Sequence, residues 1–320
     1  MTRANRPGLY LHLPFCSAIC PYCDFNVLTG EPARRRRFVD SLTAEIALSA
    51  GGTWPVVGTE SPRAPFDTLY LGGGTPSILA AEELARILEA LRQALPLDDD
   101  VWLSIEANPE DVTPGNLAAW RRLGVDFLSL GVQSFQPEHL DFLGRRHTAE
   151  QSHRSLELAL GAGFHTVSLD LIYGLPQQTR EGWQRDLEQA LEHGPQHLSC
   201  YQLTIHQRTP FGFRRERGRL AELPEEAQAE LFCLTHRYLA EQGLPGYEVS
   251  NFAAGPEHRS RHNQKYWDHT PYLGLGPSAH SFAGRHRWWN LRKIKPWQTR
   301  LEAGESPVET SESLSPTDLA

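Results

Sequence analysis

Three thiols lie within eight residues near the start of the chain, in Cys16-Ser-Ala-Ile-Cys20-Pro-Tyr-Cys23. They follow a strand-like run over residues 8–15. A cubane iron–sulfur cluster is normally held by four cysteine thiolates. A set of three leaves one iron open, and an open coordination position is typical of a catalytic or substrate-binding metal centre. The spacing therefore predicts an iron–sulfur centre with a free position.

Zinc is the alternative metal for these thiols, with His12 or Asp24 as the fourth ligand. Structural zinc sites usually combine two separated C-x2-C pairs, and this sequence has no second pair. Cys200 and Cys233 are isolated, and an odd total of five cysteines argues against a disulfide framework. The pattern favours a cluster over zinc and leaves both open.

Composition narrows the class of protein. The chain has 320 residues, a net charge of -8 and a pI of about 6.0, which argues against nucleic acid as a main partner. No apolar run reaches the roughly 18 residues of a membrane-spanning helix, so we expect no transmembrane segment. The basic N-terminus lacks the apolar core of a secretory signal, which predicts a cytoplasmic location.

Strand-like and helix-like segments alternate through the first two thirds of the sequence, which predicts right-handed βαβ units and a parallel α/β sheet. Six units are too few for a closed eight-stranded barrel, so a partly open barrel or a doubly wound sheet remains. The predicted strands are 9–13, 68–71, 102–105, 127–132, 166–172 and 197–204. The predicted helices between them are 35–50, 80–94, 113–123, 149–162 and 180–192.

The alternation ends near residue 205, which sets the predicted domain boundaries. We expect a core over residues 1–205 and an extension over 206–304 with one long helix, 224–242. Residues 305–320 are rich in Ser, Thr and Glu and predict a linker-like tail.

Polar residues follow several of the predicted strands. Gly72-Gly-Gly-Thr-Pro-Ser77 can bring backbone N–H groups close to a carboxylate or phosphate. Further polar side chains at the strand ends are Glu106, Gln133, Arg145 and Asp170. Because sites in parallel α/β folds form at the carboxyl ends of the strands, these groups are expected on the same rim as the cysteines.

Six motifs occur in one order: Tyr10 to Cys16, the cysteine loop, Gly72 to Ser77, Glu106-Ala-Asn-Pro109, Gly131-Val-Gln-Ser-Phe135 and Asp170-Leu-Ile-Tyr-Gly-Leu-Pro176. Together they resemble the radical S-adenosylmethionine (SAM) enzymes, in the branch of oxygen-independent coproporphyrinogen III oxidase. The resemblance covers about residues 8–282. It implies a partial (β/α)6 barrel with a mixed α/β extension. Relatives continue past a segment like Leu314-Ser-Pro316 into a small helical domain, so the resemblance implies that this chain stops before it.

The same resemblance implies binding roles and no catalytic side chain. Cys16, Cys20 and Cys23 match the ligands of a [4Fe-4S] cluster whose fourth iron is chelated by SAM. Tyr10, Gly73 and Glu106 match positions that hold that SAM. A second SAM is held in the oxidase by residues matching Tyr22, Gly74, Thr75, Gln133, Arg145 and Asp170.

Two features separate the oxidase from the related heme chaperones. The oxidase carries a further cysteine where this chain has Phe25, and Arg261-His-Asn-Gln-Lys-Tyr-Trp267 contains the H-N-x-x-Y-W motif of the chaperones. The resemblance thus implies heme as a third cofactor, contact with heme near His262, and heme-accepting respiratory proteins at the membrane as partners. The oxidase, an anaerobic decarboxylase of coproporphyrinogen III, is the alternative. Whether SAM is cleaved or only bound stays open.

Overall fold

The computed structural model describes residues 6–50 and 64–319, in which one large sheet carries helices along its length. The strands are β1 (Gly8–Leu13), β2 (Phe15–Cys16), β3 (Leu28–Thr29), β4 (Phe66–Gly73), β5 (Leu97–Ala107), β6 (Val125–Gln133), β7 (Thr166–Tyr173), β8 (His197–Gln202), β9 (Asn251–Ala253), β10 (Tyr272–Leu275), β11 (His280–Ala283), β12 (His286–Asn290) and β13 (Val308–Ser313). All belong to the large sheet except β2 and β3, which pair with each other in a separate small sheet. The helices are α1 (Pro32–Leu48), α2 (Ala81–Ala94), α3 (Pro114–Leu123), α4 (Pro137–Phe142), α5 (Ala149–Gly161), α6 (Arg180–Leu191), α7 (Pro210–Glu216), α8 (Glu225–Glu241), α9 (Arg261–Trp267) and α10 (Ile294–Glu302).

The first six strands of the sheet are parallel neighbours in the order β1-β4-β5-β6-β7-β8. All six predicted strands are therefore confirmed, and the predicted helices correspond to α1, α2, α3, α5, α6 and α8. The helices form because their apolar residues recur at helical spacing; in α2, Leu84, Leu88 and Leu91 are buried against the core. Capping residues fix the ends of the helices. At the start of α5, for example, Thr148 and Gln151 form a capping box.

The C-terminal part continues the same sheet. β10 pairs in parallel with β1, and β11, β12 and β13 follow in antiparallel order. At the other edge β9 pairs antiparallel with β8. These strands are three to six residues long, too short to produce a clear alternation in the sequence.

The linker-like tail predicted for residues 305–320 is wrong over Val308–Ser313, which form β13. The polar composition of this segment predicted a linker because β13 lies at the edge of the sheet, where its side chains are largely exposed. Such a strand needs only backbone partners, which β12 supplies, and no buried apolar face.

A buried carboxylate ties α1 to the C-terminal part. Glu45 accepts hydrogen bonds from the backbone N–H of Gly276 (2.8 Å), Asn290 Nδ2 (2.6 Å) and Trp297 Nε1 (3.1 Å). Burial raises the pKa of Glu45 to about 7, while the three donors favour its ionised form. The Trp297 ring also stacks on Phe38 of α1 at a centroid distance of 5.4 Å.

Within residues 6–50 and 64–319, no helix has both the length and the apolar character needed to cross a membrane.

Candidate cluster and cofactor site

The three cysteines of the loop line one cavity of about 520 Å³ at the carboxyl ends of the parallel strands. Cys16 ends β2, which pairs with β3 and is held in register by Phe15 opposite Leu28. Cys20 and Cys23 follow in a turn closed by a backbone hydrogen bond between them (3.1 Å). All three are free thiols and half-buried. The loop therefore presents three unpaired sulfurs to one space.

Burial controls the protonation of the thiols in the loop. Burial raises the pKa of the Cys16 thiol, and it raises the pKa of Cys23 to about 11, so both thiols hold their protons in neutral solution. A metal would displace these protons and stabilise the thiolates. In the described residues no three His, Cys, Asp or Glu side chains converge on one ion. A cluster does not require such convergence, because each thiolate binds a separate iron. The donor set thus fits a cluster.

The two side chains considered as a fourth zinc ligand are engaged elsewhere. His12 Nε2 donates to the carbonyl oxygen of Asn26 (3.0 Å), so its Nδ1 accepts from the Tyr10 hydroxyl (3.0 Å). The Asp24 carboxylate lies 3.3 Å from His206 Nε2. This geometry does not favour a zinc site.

The glycine run packs directly against the cysteine strand. Gly74 N donates to Leu13 O (2.9 Å), and Thr75 N donates to Phe15 O (2.7 Å). A Cβ at Gly74 would lie 2.7 Å from those same carbonyl oxygens, so only glycine permits this approach. Thr75 Oγ1 also donates to Cys16 Sγ (3.5 Å). The run therefore fixes both the backbone and a thiol of the cysteine loop.

Glu106 lies at the end of β5, on the wall between two cavities. Its carboxylate accepts from the Tyr70 hydroxyl (2.7 Å) and from Gly73 N (3.2 Å). Burial raises the pKa of Glu106 to about 7. The remaining lone pairs of its oxygens can accept from a ligand.

Arg145 brings a positive charge to the thiols. Its guanidinium donates to Cys20 Sγ (3.4 Å), Asn108 Oδ1 (2.6 Å) and Gly131 O (2.8 Å). Its Nε is buried and has no hydrogen-bond partner. A buried donor without a partner is costly, so this Nε is available to hydrogen-bond a ligand in the cavity.

Asp170 lies on β7 at the same cavity, between strands β6 and β8. It accepts from Ser129 Oγ (3.0 Å) and from Ser199. Burial raises the pKa of Asp170 to about 6.

Two more of the predicted residues lie at this cavity. Gln133 adopts φ +72° at the end of β6. The centroid of the Tyr22 ring lies 6.3 Å from that of Phe211.

The structure brings most of the predicted cofactor residues together. One cavity is lined by Cys16, Tyr22, Gly73, Gly74, Thr75, Glu106, Gln133, Arg145 and Asp170, along with Cys20 and Cys23. Tyr10 lines a neighbouring cavity of about 470 Å³ that shares Gly73 and Glu106 with the first. Further lining residues that the sequence did not single out are Tyr70, Asn108, Ser129, Ser199 and Tyr201. The register of the sheet is the signal that could have found Ser199, since it pairs opposite Asp170.

His262, predicted as a heme contact, lies in the core beneath the cofactor cavity, and its contact with heme stays a prediction. Its imidazole is fully buried, and both ring nitrogens are engaged, Nδ1 with Thr68 Oγ1 (3.0 Å) and Nε2 with the Tyr266 hydroxyl (3.0 Å). The ring stacks on Tyr70 at 5.4 Å, and Tyr70 in turn holds Glu106. His262 therefore supports the cofactor cavity from behind.

The rest of the motif on α9 reaches an aromatic cavity of about 580 Å³ on the outer side of β10 and β11. Tyr266, Tyr272 and Phe282 form its aromatic wall, with ring centroids 4.7 Å and 6.1 Å apart along the series. Exposed His269 lies at this wall, 5.9 Å from the Phe282 ring. Arg287 adds a guanidinium, which is paired with Glu312. This cavity combines aromatic side chains with an accessible imidazole.

Comparison with known proteins agrees with this site. The sequence profile of the radical SAM superfamily matches residues 10–190. The heme chaperone HemW of Mycobacterium tuberculosis is 36% identical over 312 residues, which cover 96% of this chain and 77% of the relative. HemW of Escherichia coli is 37% identical over 303 residues, which cover 93% and 75%. The structure of coproporphyrinogen III oxidase (HemN) from Escherichia coli, a radical SAM enzyme, matches with a TM-score of 0.82 at 25% identity, covering 98% of this chain and 74% of that one.

These matches show that the chain belongs to the radical SAM superfamily and, within it, to the family of the heme chaperone HemW. The predicted fold class, a partial (β/α)6 radical SAM barrel with a mixed α/β extension, is confirmed by the match to the oxidase structure.

Proposed function

We propose that this protein binds a [4Fe-4S] cluster, SAM and heme, and that it passes heme to acceptor proteins. The observation that carries the proposal is the cavity in which three free thiols meet Glu106, Arg145 and Asp170 in a chain related to HemW. The proposal includes a cytoplasmic location and respiratory proteins at the membrane as acceptors. No nucleic acid is involved.

The cysteine loop would hold the cluster through Cys16, Cys20 and Cys23. When bound with SAM, a reduced cluster of this type supplies the electron that cleaves the sulfonium. The protein's own contribution is to keep the three thiols free, to place Thr75 Oγ1 at Cys16 and Arg145 at Cys20, and to stabilise the thiolates through these donors.

The first SAM would lie against Tyr10, Gly73 and Glu106. The Glu106 carboxylate is oriented by Tyr70 and Gly73, and it would accept from the methionine amino group. A second SAM would lie against Tyr22, Gly74, Thr75, Gln133, Arg145 and Asp170. The unpartnered Nε of Arg145 suits the carboxylate of such a ligand.

Heme would bind in the aromatic cavity outside β10 and β11, with His269 as the candidate iron ligand. The apolar rings of Tyr272 and Phe282 suit a porphyrin face, and an exposed imidazole is a ligand type that binds heme iron. We propose His269 ahead of the predicted His262 for this role because both ring nitrogens of His262 are hydrogen-bonded inside the core.

Anaerobic reconstitution with iron and sulfide tests the cluster. Four irons per chain and a cluster absorbance band are expected in the wild type and in Cys233→Ala, an exposed cysteine outside the loop that serves as the matched control. Both signals should vanish in Cys20→Ala because the loop then offers only two thiolates. Tight zinc binding without iron would contradict the proposal.

Hemin titration tests the carrier function. We expect one heme per chain, with affinity lowered at least tenfold in His269→Ala and retained in folded His262→Ala. An anaerobic assay with coproporphyrinogen III should show no consumption. Clear turnover would instead support the oxidase, whose further cysteine is replaced here by the exposed Phe25.

A further inference from the structure

The start of α1 carries four consecutive arginines, Arg34 to Arg37, which we call the arginine surface. Three of them are exposed, and Arg35 is half-buried. The chain as a whole has a net charge of -8, so this surface is locally opposite in sign to the molecule. Glu31 is the carboxylate beside it.

No carboxylate of the described residues neutralises these charges. Within residues 6–50 and 64–319, none of the four guanidinium groups forms an ion pair. Arg34 and Arg35 donate only to the carbonyl oxygens of Thr29 (3.4 Å) and Gly30 (3.1 Å). Arg35 Nε is buried without any partner. These two backbone contacts orient the Arg34 and Arg35 side chains, and they leave the charges of both guanidinium groups available to a partner.

Helix stability does not explain the arginines. The N-terminal end of a helix is the positive end of its dipole and favours acidic residues, yet the first turn of α1 has none. Arg34 and Arg35 lie in this first turn, where each cation is destabilising by about a few tenths of a kcal/mol. Their placement points to a partner that carries negative charge.

The arginine surface leads directly to a predicted cluster ligand. Arg34, Arg35 and Arg37 line a cavity of about 650 Å³ whose inner wall includes Cys16 and Ser17. Cys16 also lines the cofactor cavity on its other side. One cysteine thus separates the cluster position from a basic, solvent-open surface.

We infer that the arginine surface is the docking site of a small acidic electron-carrier protein, which reduces the cluster across Cys16. The inference rests on the proposed cluster. In the step, the carrier loses one electron, the cluster gains it, and no bond is made or broken. Charge complementarity orients the carrier and accelerates encounter, as for other electrostatically steered pairs.

The test uses an acidic flavodoxin, a low-potential one-electron carrier, as the probe. The surface variant is Arg34→Glu, Arg36→Glu and Arg37→Glu, which spares Arg35 because it bonds the Gly30 carbonyl. The matched control reverses three exposed arginines on other helices: Arg122→Glu, Arg154→Glu and Arg237→Glu. Both variants change the net charge equally.

At low salt, the bimolecular rate of cluster reduction by flavodoxin should fall at least tenfold in the surface variant and little in the control. The difference should disappear near 0.5 M salt, because about 0.1 M already screens charges over about 10 Å. Photoreduction by deazaflavin should be equal in all three proteins. Equal flavodoxin rates, or an equal loss in photoreduction, would overturn the inference.

Binding of oxidised flavodoxin to the cluster-free chain gives an independent readout. Its affinity should fall at least tenfold in the surface variant alone. If wild-type protein assembles no cluster, the proposed function fails, while this binding measurement still decides the docking site. Binding of the wild type to anionic phospholipid vesicles that is lost in the surface variant, with flavodoxin affinity unchanged, would assign the surface to a membrane and overturn the inference.

Discussion

Buried polar side chains in the cofactor cavity differ from those that join the C-terminal part to the barrel. In the cavity, Arg145 keeps a buried Nε without a partner, and Glu106 has two donors but faces open space. At the junction, Glu45 receives three hydrogen bonds and His262 uses both ring nitrogens. At these positions, the cavity side chains keep hydrogen-bonding capacity for a ligand, whereas those at the junction use theirs within the protein.

The largest effect is expected from Trp297→Ala at the junction. Trp297 is fully buried, stacks on Phe38 and donates to Glu45, so its loss should lower the free energy of unfolding by about 3–5 kcal/mol. Trp267→Ala is the control, because that ring is 59% exposed and should change stability by about 0.5 kcal/mol or less. Urea unfolding measures both. Equal effects would mean that the C-terminal part is not an integral part of the core.

His262→Ala should have the next largest effect. The substitution leaves Thr68 Oγ1 and the Tyr266 hydroxyl without their partner and removes the ring that supports Tyr70. We expect a loss of about 2–3 kcal/mol in stability, with weaker SAM binding. His269→Ala should leave stability unchanged in the same denaturation series. A stable His262→Ala protein with lost heme binding would reverse the roles assigned to the two histidines.

The smallest of these effects is the pH dependence of SAM binding through Glu106. Because burial raises its pKa to about 7, the carboxyl group is protonated below that pH and accepts poorly from the SAM amino group. The affinity for SAM should therefore rise with pH, by up to about tenfold per unit below pH 7, and level off above it. Isothermal titration of reconstituted protein measures this profile. Glu106→Gln should flatten it, and a flat wild-type profile would contradict the role.

The sequence predicted the elements whose signal is local and repeated. The six parallel strands and their helices follow from apolar periodicity, and the strand-end rule placed Glu106 and Asp170 at the cavity. The position of His262 was not predictable in this way. Its partner Thr68 is 194 residues away, and only the folded sheet shows that the imidazole faces the core. Short strands such as β13 were not predicted, because their stability comes from backbone pairing with another strand and not from a local sequence pattern.

The pairing of β1 with β10 has a consequence for synthesis of the protein. β1 leads into the cysteine loop, and its neighbour on one side is residues 272–275, which leave the ribosome late. Until then, one edge of β1 lacks its hydrogen-bond partners. We therefore expect the cysteine loop of the nascent chain to follow a strand with one unpaired edge, and iron loading to come after residue 275 has left the ribosome.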